Sequence, residues 1–153
     1  MNSRRLASIV GAAASVAAMG VLVAGPALAT AATSVSATTP TWASSVLKGG
    51  GSFKSAATVS ATYSVTMQLV RTASSTKPAC TAAANCNTAG TVLTTSTGSY
   101  IVAKGAAQTV TALTWNCASQ TTTSRYYWTW LKVADASGNA VTSLSLGLSG
   151  KYC

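Results

Sequence analysis

Four side chains in this sequence are poised for covalent chemistry: Cys80, Cys86, Cys117 and Cys153. An even number of cysteines in an exported chain reads as two disulfides, with three possible pairings. Nearness in sequence favours Cys80–Cys86, closing a small loop over residues 81–85, and leaves Cys117–Cys153 to pin the C-terminal end to an internal strand. On a chain-entropy model the two bridges would contribute about 2.4 and about 3.8 kcal/mol. A metal site is the weaker alternative. There is no C-x-x-C spacing and no histidine, so zinc would need four thiolates in an oxidising compartment. One catalytic pattern occurs: Ser45-Val46-Leu47-Lys48 matches S-x-x-K, in which a lysine amine activates a serine without histidine. Its companion S-D-N and K-T-G motifs are absent, and in so serine-rich a chain the match is expected by chance.

Proton chemistry is almost unsupplied. The 153 residues include ten Lys and Arg, a single acid, Asp135, and no histidine. General acid–base work near neutral pH draws on His, Glu or Asp in tuned surroundings. Paired-carboxylate glycoside hydrolysis, serine triads, and oxygen-ligated calcium or magnesium sites each require residues that one subunit lacks. The expectation is therefore a non-enzyme without a cofactor. Asp135 itself opens Asp135-Ala136-Ser137-Gly138-Asn139, a composition in which an Asx side chain caps its own turn.

The first segment assigns a compartment. Residues 2–5 form a basic start, residues 6–24 are apolar, and Pro26-Ala27-Leu28-Ala29 is an A-x-A cleavage site, so residues 1–29 read as a signal peptide cut after Ala29. An uncleaved anchor is the alternative, disfavoured because Ala, Ser and Gly are only weakly hydrophobic. Ser3-Arg4-Arg5-Leu6 resembles part of a twin-arginine signal, but the general secretory route suits disulfides made after translocation. The mature chain of 124 residues then carries eight cations against Asp135, a formal charge of +7, with no membrane span expected. Those cations are scattered, which favours diffuse attraction to anionic surfaces such as cell-wall polysaccharide and no specific nucleic-acid recognition.

The elements that must position these groups read as strands. Residues 59–69 alternate apolar with Ser, Thr and Gln at a period of two. Residues 91–95 and 99–104 flank Thr97-Gly98 and read as a short hairpin. Residues 107–117 change phase near Ala112-Leu113, which predicts a bulge. Residues 125–134 and 140–148 follow, then a short strand ending at Cys153. No stretch after the signal has the apolar spacing of an amphipathic helix. The expectation is an all-β fold, a single Ig-like antiparallel β-sandwich with two disulfides, over residues 57–153.

Two regions are candidates for partner binding. Residues 30–56 are expected to be a flexible segment, because residues 30–41 have almost no large apolar side chain and Gly49-Gly50-Gly51 follow. Trp42, Val46 and Leu47 lie between them, either as a first strand with Trp42 in the core or as a docking segment for a partner's groove or sheet edge. In residues 125–133, alternation puts Tyr126, Trp128 and Trp130 on one face and Tyr127, Leu131 and Val133 on the other. Either the strand is covered on both sides, or the Tyr126, Trp128 and Trp130 row is exposed for a protein or sugar partner.

The runs Tyr63-Ser64-Val65-Thr66-Met67-Gln68-Leu69, Thr114-Trp115-Asn116-Cys117 and Trp130-Leu131-Lys132-Val133-Ala134-Asp135-Ala136-Ser137-Gly138-Asn139, with Cys153, resemble small secreted two-disulfide β-sandwich proteins of actinobacteria. That group includes adapter subunits of umbrella toxin particles. The resemblance implies a non-enzymatic adapter joined to larger secreted proteins, and it assigns no functional residue. The alternatives are a carbohydrate or cell-wall binding module, and a protease inhibitor or small toxin presenting the loop between Cys80 and Cys86.

Overall fold

A computed structural model describes residues 31–153, so the signal segment expected at residues 1–29 lies outside the described residues. Alternating patterns and β-branched content carry the described chain into eight strands: β1 Thr33–Ala43, β2 Val46–Lys54, β3 Ala61–Thr72, β4 Thr91–Val102, β5 Ala107–Asn116, β6 Arg125–Ala134, β7 Ala140–Leu144 and β8 Leu148–Gly150. They form two antiparallel sheets. One has the order β1-β2-β5; the other has β4-β3-β6-β7, with β8 also paired to β6. β7 pairs with the C-terminal half of β6 and β8 with its start at Arg125–Tyr127. The single strand expected over residues 140–148 is thus interrupted. There Ser145 turns back, its N–H donating to the Thr129 carbonyl at 2.9 Å and its Oγ accepting from the Thr129 N–H at 2.9 Å.

The inner faces follow the period-two pattern. Leu47 and Phe53 of β2, Tyr63, Val65, Met67 and Leu69 of β3, and Tyr127, Leu131 and Val133 of β6 are all almost completely buried in one cluster. The middle strand of the smaller sheet packs closely against β6. A Cβ built on Gly49 would lie 2.7 Å from Thr129 Oγ1, and one on Gly51 would lie 2.8 Å from Leu131 Cδ2. Those glycines let the second strand come within contact of β6, which also explains why Thr129 Oγ1 is buried without a hydrogen-bond partner.

Four sequence expectations are corrected. Residues 33–41, expected to be part of a flexible segment, lie in β1, because pairing along β2 satisfies their backbone although their side chains bury little. Gly49, Gly50 and Gly51 are strand residues, and the boundary between residues 56 and 57 falls inside the fold, since β1 and β2 supply two strands of one sheet. Thr97-Gly98 is not a hairpin turn. β4 runs unbroken, Gly98 opposite Val65, in register with β3 from Thr94 to Val102. Gly98 serves close packing instead, with the Tyr100 ring 3.3 Å from where its Cβ would be.

The segment from Trp42 to Leu47, read as one strand or one docking segment, is instead split between two strands: Ser44 and Ser45, with φ of 50° and 64°, form a two-residue hairpin loop joining β1 to β2. Other expectations match. The bulge in β5 is present: Gly49 pairs with Leu113 and Gly51 with Val110, so Thr111 and Ala112 together face Gly50. The disulfides are Cys80–Cys86 and Cys117–Cys153, with Cα separations of 4.4 and 5.1 Å, leaving no free cysteine among the described residues. Asp135 caps the β6–β7 hairpin: its Oδ1 accepts from the N–H groups of Ser137 at 2.9 Å and Asn139 at 3.0 Å, and its Oδ2 from Asn139 Nδ2 at 2.9 Å.

Candidate functional site

The aromatic row of β6 is covered. Trp128 and Trp130 are 6% and 1% exposed, and they form a second apolar cluster with Val70 and Cys86 on the outer face of the larger sheet. The cover is the loop carrying the Cys80–Cys86 bridge. It is tied down where the Cys86 N–H donates to Gln68 Oε1 at 3.0 Å, Gln68 Nε2 donates to Asn87 Oδ1 at 3.2 Å, and Lys132 Nζ donates to the Ala82 carbonyl at 3.1 Å. Trp128 Nε1 donates to Thr72 Oγ1 at 3.0 Å. Of the two readings for this strand, the structure takes coverage on both sides, and only Tyr126 remains half-buried.

The candidates near the N-terminus are also built into the sandwich. Leu47 is fully buried, Val46 is half-buried, and Trp42 stacks on Tyr152 with ring centroids 4.8 Å apart. Trp42 therefore packs against the core as first-strand placement requires. Ser45 of the S-x-x-K match sits in the hairpin loop, where its carbonyl accepts from the Cys117 N–H at 2.9 Å, and Lys48 is exposed on β2 opposite Thr114. The candidates from the sequence thus form no common site: one group lies under the Cys80–Cys86 loop and the other beside the C-terminal end.

The feature that sequence reasoning missed is the side of the sandwich where β4 and β5 meet. Sheet edges present unpaired N–H and C=O groups, and proteins usually blunt them with Pro, charge, bulges or a covering element. β1 does so: it contains Pro40, has two register breaks against β2, and its Ala37 N–H donates to Ser143 Oγ of β7 at 3.0 Å. β4 is guarded less: over its twelve residues it has no charge and no proline, and its single register shift, at Leu93, leaves nine regular pairs with β3 from Val102 to Thr94.

The inward phase of β4 explains the shape beside that edge. Thr94, Ser96 and Gly98 stand opposite Leu69, Met67 and Val65, so small residues occupy positions where the core would take large ones. The result is a lateral cleft of about 360 Å³ with Val65, Met67 and Val110 as its floor. A second cavity of about 390 Å³ follows toward the other end, between Val92, Leu93 and Trp115. Trp115, 37% exposed, lines that second cavity. Tyr100 spans the gap: its Oη accepts from the Thr111 N–H of β5 at 3.0 Å and donates to Thr111 Oγ1 at 3.3 Å. At the far end Cys117–Cys153 crosses between the sheets, with Cys153 further held by Tyr127 Oη at 2.9 Å and by Arg71 Nη1 at 2.6 Å. The signal for this site was an uncharged, proline-free Ser/Thr run whose inward phase lacks large apolar residues. No protein-family model matches the chain, and no curated protein matches it.

Proposed function

We propose that this chain is a secreted, non-enzymatic β-sandwich of Ig-like type that acts as an adapter or binding subunit in an extracellular protein assembly. The strand orders β1-β2-β5 and β4-β3-β6-β7, with β4 lying beside β3, support the Ig-like reading. Two disulfides support life in an oxidising compartment. The observation that carries the adapter reading is the β4 edge: a long, uncharged strand, regular over residues 94–102, whose side away from β3 has no strand partner among the described residues and lies beside an apolar-floored cleft. An edge kept in this state is a template for pairing with another chain, and its retention in a soluble domain makes sense when a partner occupies it.

Reading the chain as a sugar-binding platform rested on an exposed Tyr126, Trp128 and Trp130 row, and the burial of the two tryptophans removes its support. The test is affinity purification of the tagged chain from native culture fluid, followed by mass spectrometry. A larger secreted protein is expected at a stoichiometric ratio. Retention on cell-wall polysaccharide with no protein partner would overturn the adapter reading.

A further inference from the structure

We infer that the β4 edge binds an extended, acidic-ended segment of the partner, which joins the larger sheet as an added strand beside residues 94–102. The inference rests on the adapter reading and names the chemistry of what is bound. In strand addition, main-chain hydrogen bonds supply affinity and pockets for alternate side chains supply specificity. Nine residues in regular register offer about 30 Å of edge. The cleft over Val65, Met67 and Val110, beside Ser96 and Gly98, gives one phase of the incoming strand room for an apolar side chain.

Charge selects the occupant. The described residues hold eight Lys and Arg against Asp135, and that carboxylate is already engaged by Ser137 and Asn139. β4 is neutral along its length but cationic at both ends. Beside Thr91, Lys77 and Arg71 line a cavity of about 600 Å³, Arg71 already donating one N–H to the Cys153 carbonyl, and in the turn after Val102, Lys104 is exposed. A second copy of this chain would set like charge against like charge, which opposes self-pairing. A segment with Asp or Glu at or just beyond both ends, and alternating small apolar residues between, matches edge, cleft and charge together.

The test is selection of random peptides displayed on phage against the immobilised mature, disulfide-intact chain. Enriched peptides are expected to be acidic at their ends and alternating between, and to bind at least about tenfold more weakly to a Thr97→Glu variant. Thr39→Glu on β1 should change binding less than about twofold, and rising salt should weaken it. Because a variant can fail to fold, amide hydrogen exchange of the unmodified chain provides a second readout: bound peptide should slow exchange in β4 and not in β1. Enrichment of peptides without acids, equal effects of the two variants, absence of enrichment over scrambled controls, or protection outside β4 would each overturn the inference. The same two variants used as bait in culture fluid separate the readings. A protein retained equally by both leaves the adapter reading intact and sinks the β4 assignment. No protein on either bait sinks the adapter reading, and the peptide measurements then decide the edge chemistry alone.

Discussion

Strands β1 and β4 are edge strands of eleven and twelve residues on opposite sides of one sandwich, and they are treated in opposite ways. β1 has two register shifts where β4 has one, contains a buried proline and leans on β7 through the bond from Ala37 to Ser143. Its side is closed by packing. The β4–β5 side is held at two points instead, by Tyr100 reaching Thr111 and by the Cys117–Cys153 bridge, with a cleft between them. A fold of this size buries enough apolar surface to leave one side unfinished, provided that something other than packing keeps the sheets from parting. The contrast teaches that an unguarded edge is recognised against its guarded counterpart in the same molecule, where composition and fold are held constant.

The largest effect should come from removing the clamp. Replacing Cys117 and Cys153 together by Ser is expected to lower unfolding free energy by about 3–4 kcal/mol on the chain-entropy estimate. Hydrogen exchange should rise first along β5 and the start of β6, while β1 stays protected. A uniform rise over both sides would show that the bridge does not hold the open side in particular. Next in size is Gly51→Ala on β2. Its Cβ would meet the Ser36 carbonyl oxygen at 2.7 Å and Leu131 Cδ2 at 2.8 Å. Overpacking of this kind costs about 1–3 kcal/mol. Denaturant midpoints should fall with an unchanged slope, and binding at β4 should survive wherever the protein is folded. Tyr100→Phe comes third: the Thr111 N–H loses its acceptor, for a loss of about 1 kcal/mol. Because Thr111 is exposed, water replaces part of that bond, and exchange at Thr111 is the sharper measurement.

How much of this was legible beforehand depends on the period of each segment. β3 and β6 alternate over ten residues or more, so their faces were readable, as was the β5 bulge from the phase change between Val110 and Leu113. The pairing Cys80–Cys86 followed from proximity. β1 was not legible, because residues 33–41 offer little apolar side chain beyond Val35; backbone pairing to β2 and the close approach allowed by glycine decide their conformation. β4 was misread at Thr97-Gly98 for a related reason. Glycine in a strand and glycine in a turn look alike in sequence, and Gly98 is distinguished by the ring of Tyr100 lying against it. Nor can alternation reveal that the outer aromatic row is covered, since its cover is a loop forty or more residues away in sequence that packs through Gln68 and Cys86.

The smallest expected effect concerns pH, and it also separates the two sides. The Asp135 carboxyl is held below its ordinary value, first by the Asn139 side-chain amide and then by the backbone N–H groups of the same turn, which outweigh the opposing effect of burial. A carboxyl whose folded value is depressed binds its proton more readily when unfolded. Its contribution to stability is therefore complete above the unfolded value of about 4 and is lost as pH falls through the lower folded value. β4 and β5 carry no carboxylate. Acid below about pH 4 should accordingly loosen the β6–β7 hairpin on the guarded side, seen as faster exchange at the amides of Ser137 and Asn139, and leave β4 unchanged. Asp135→Asn should remove that pH dependence while keeping most of the turn. Acid-induced exchange that begins in β4 would mean that the open side, not the capped hairpin, is the first to give way.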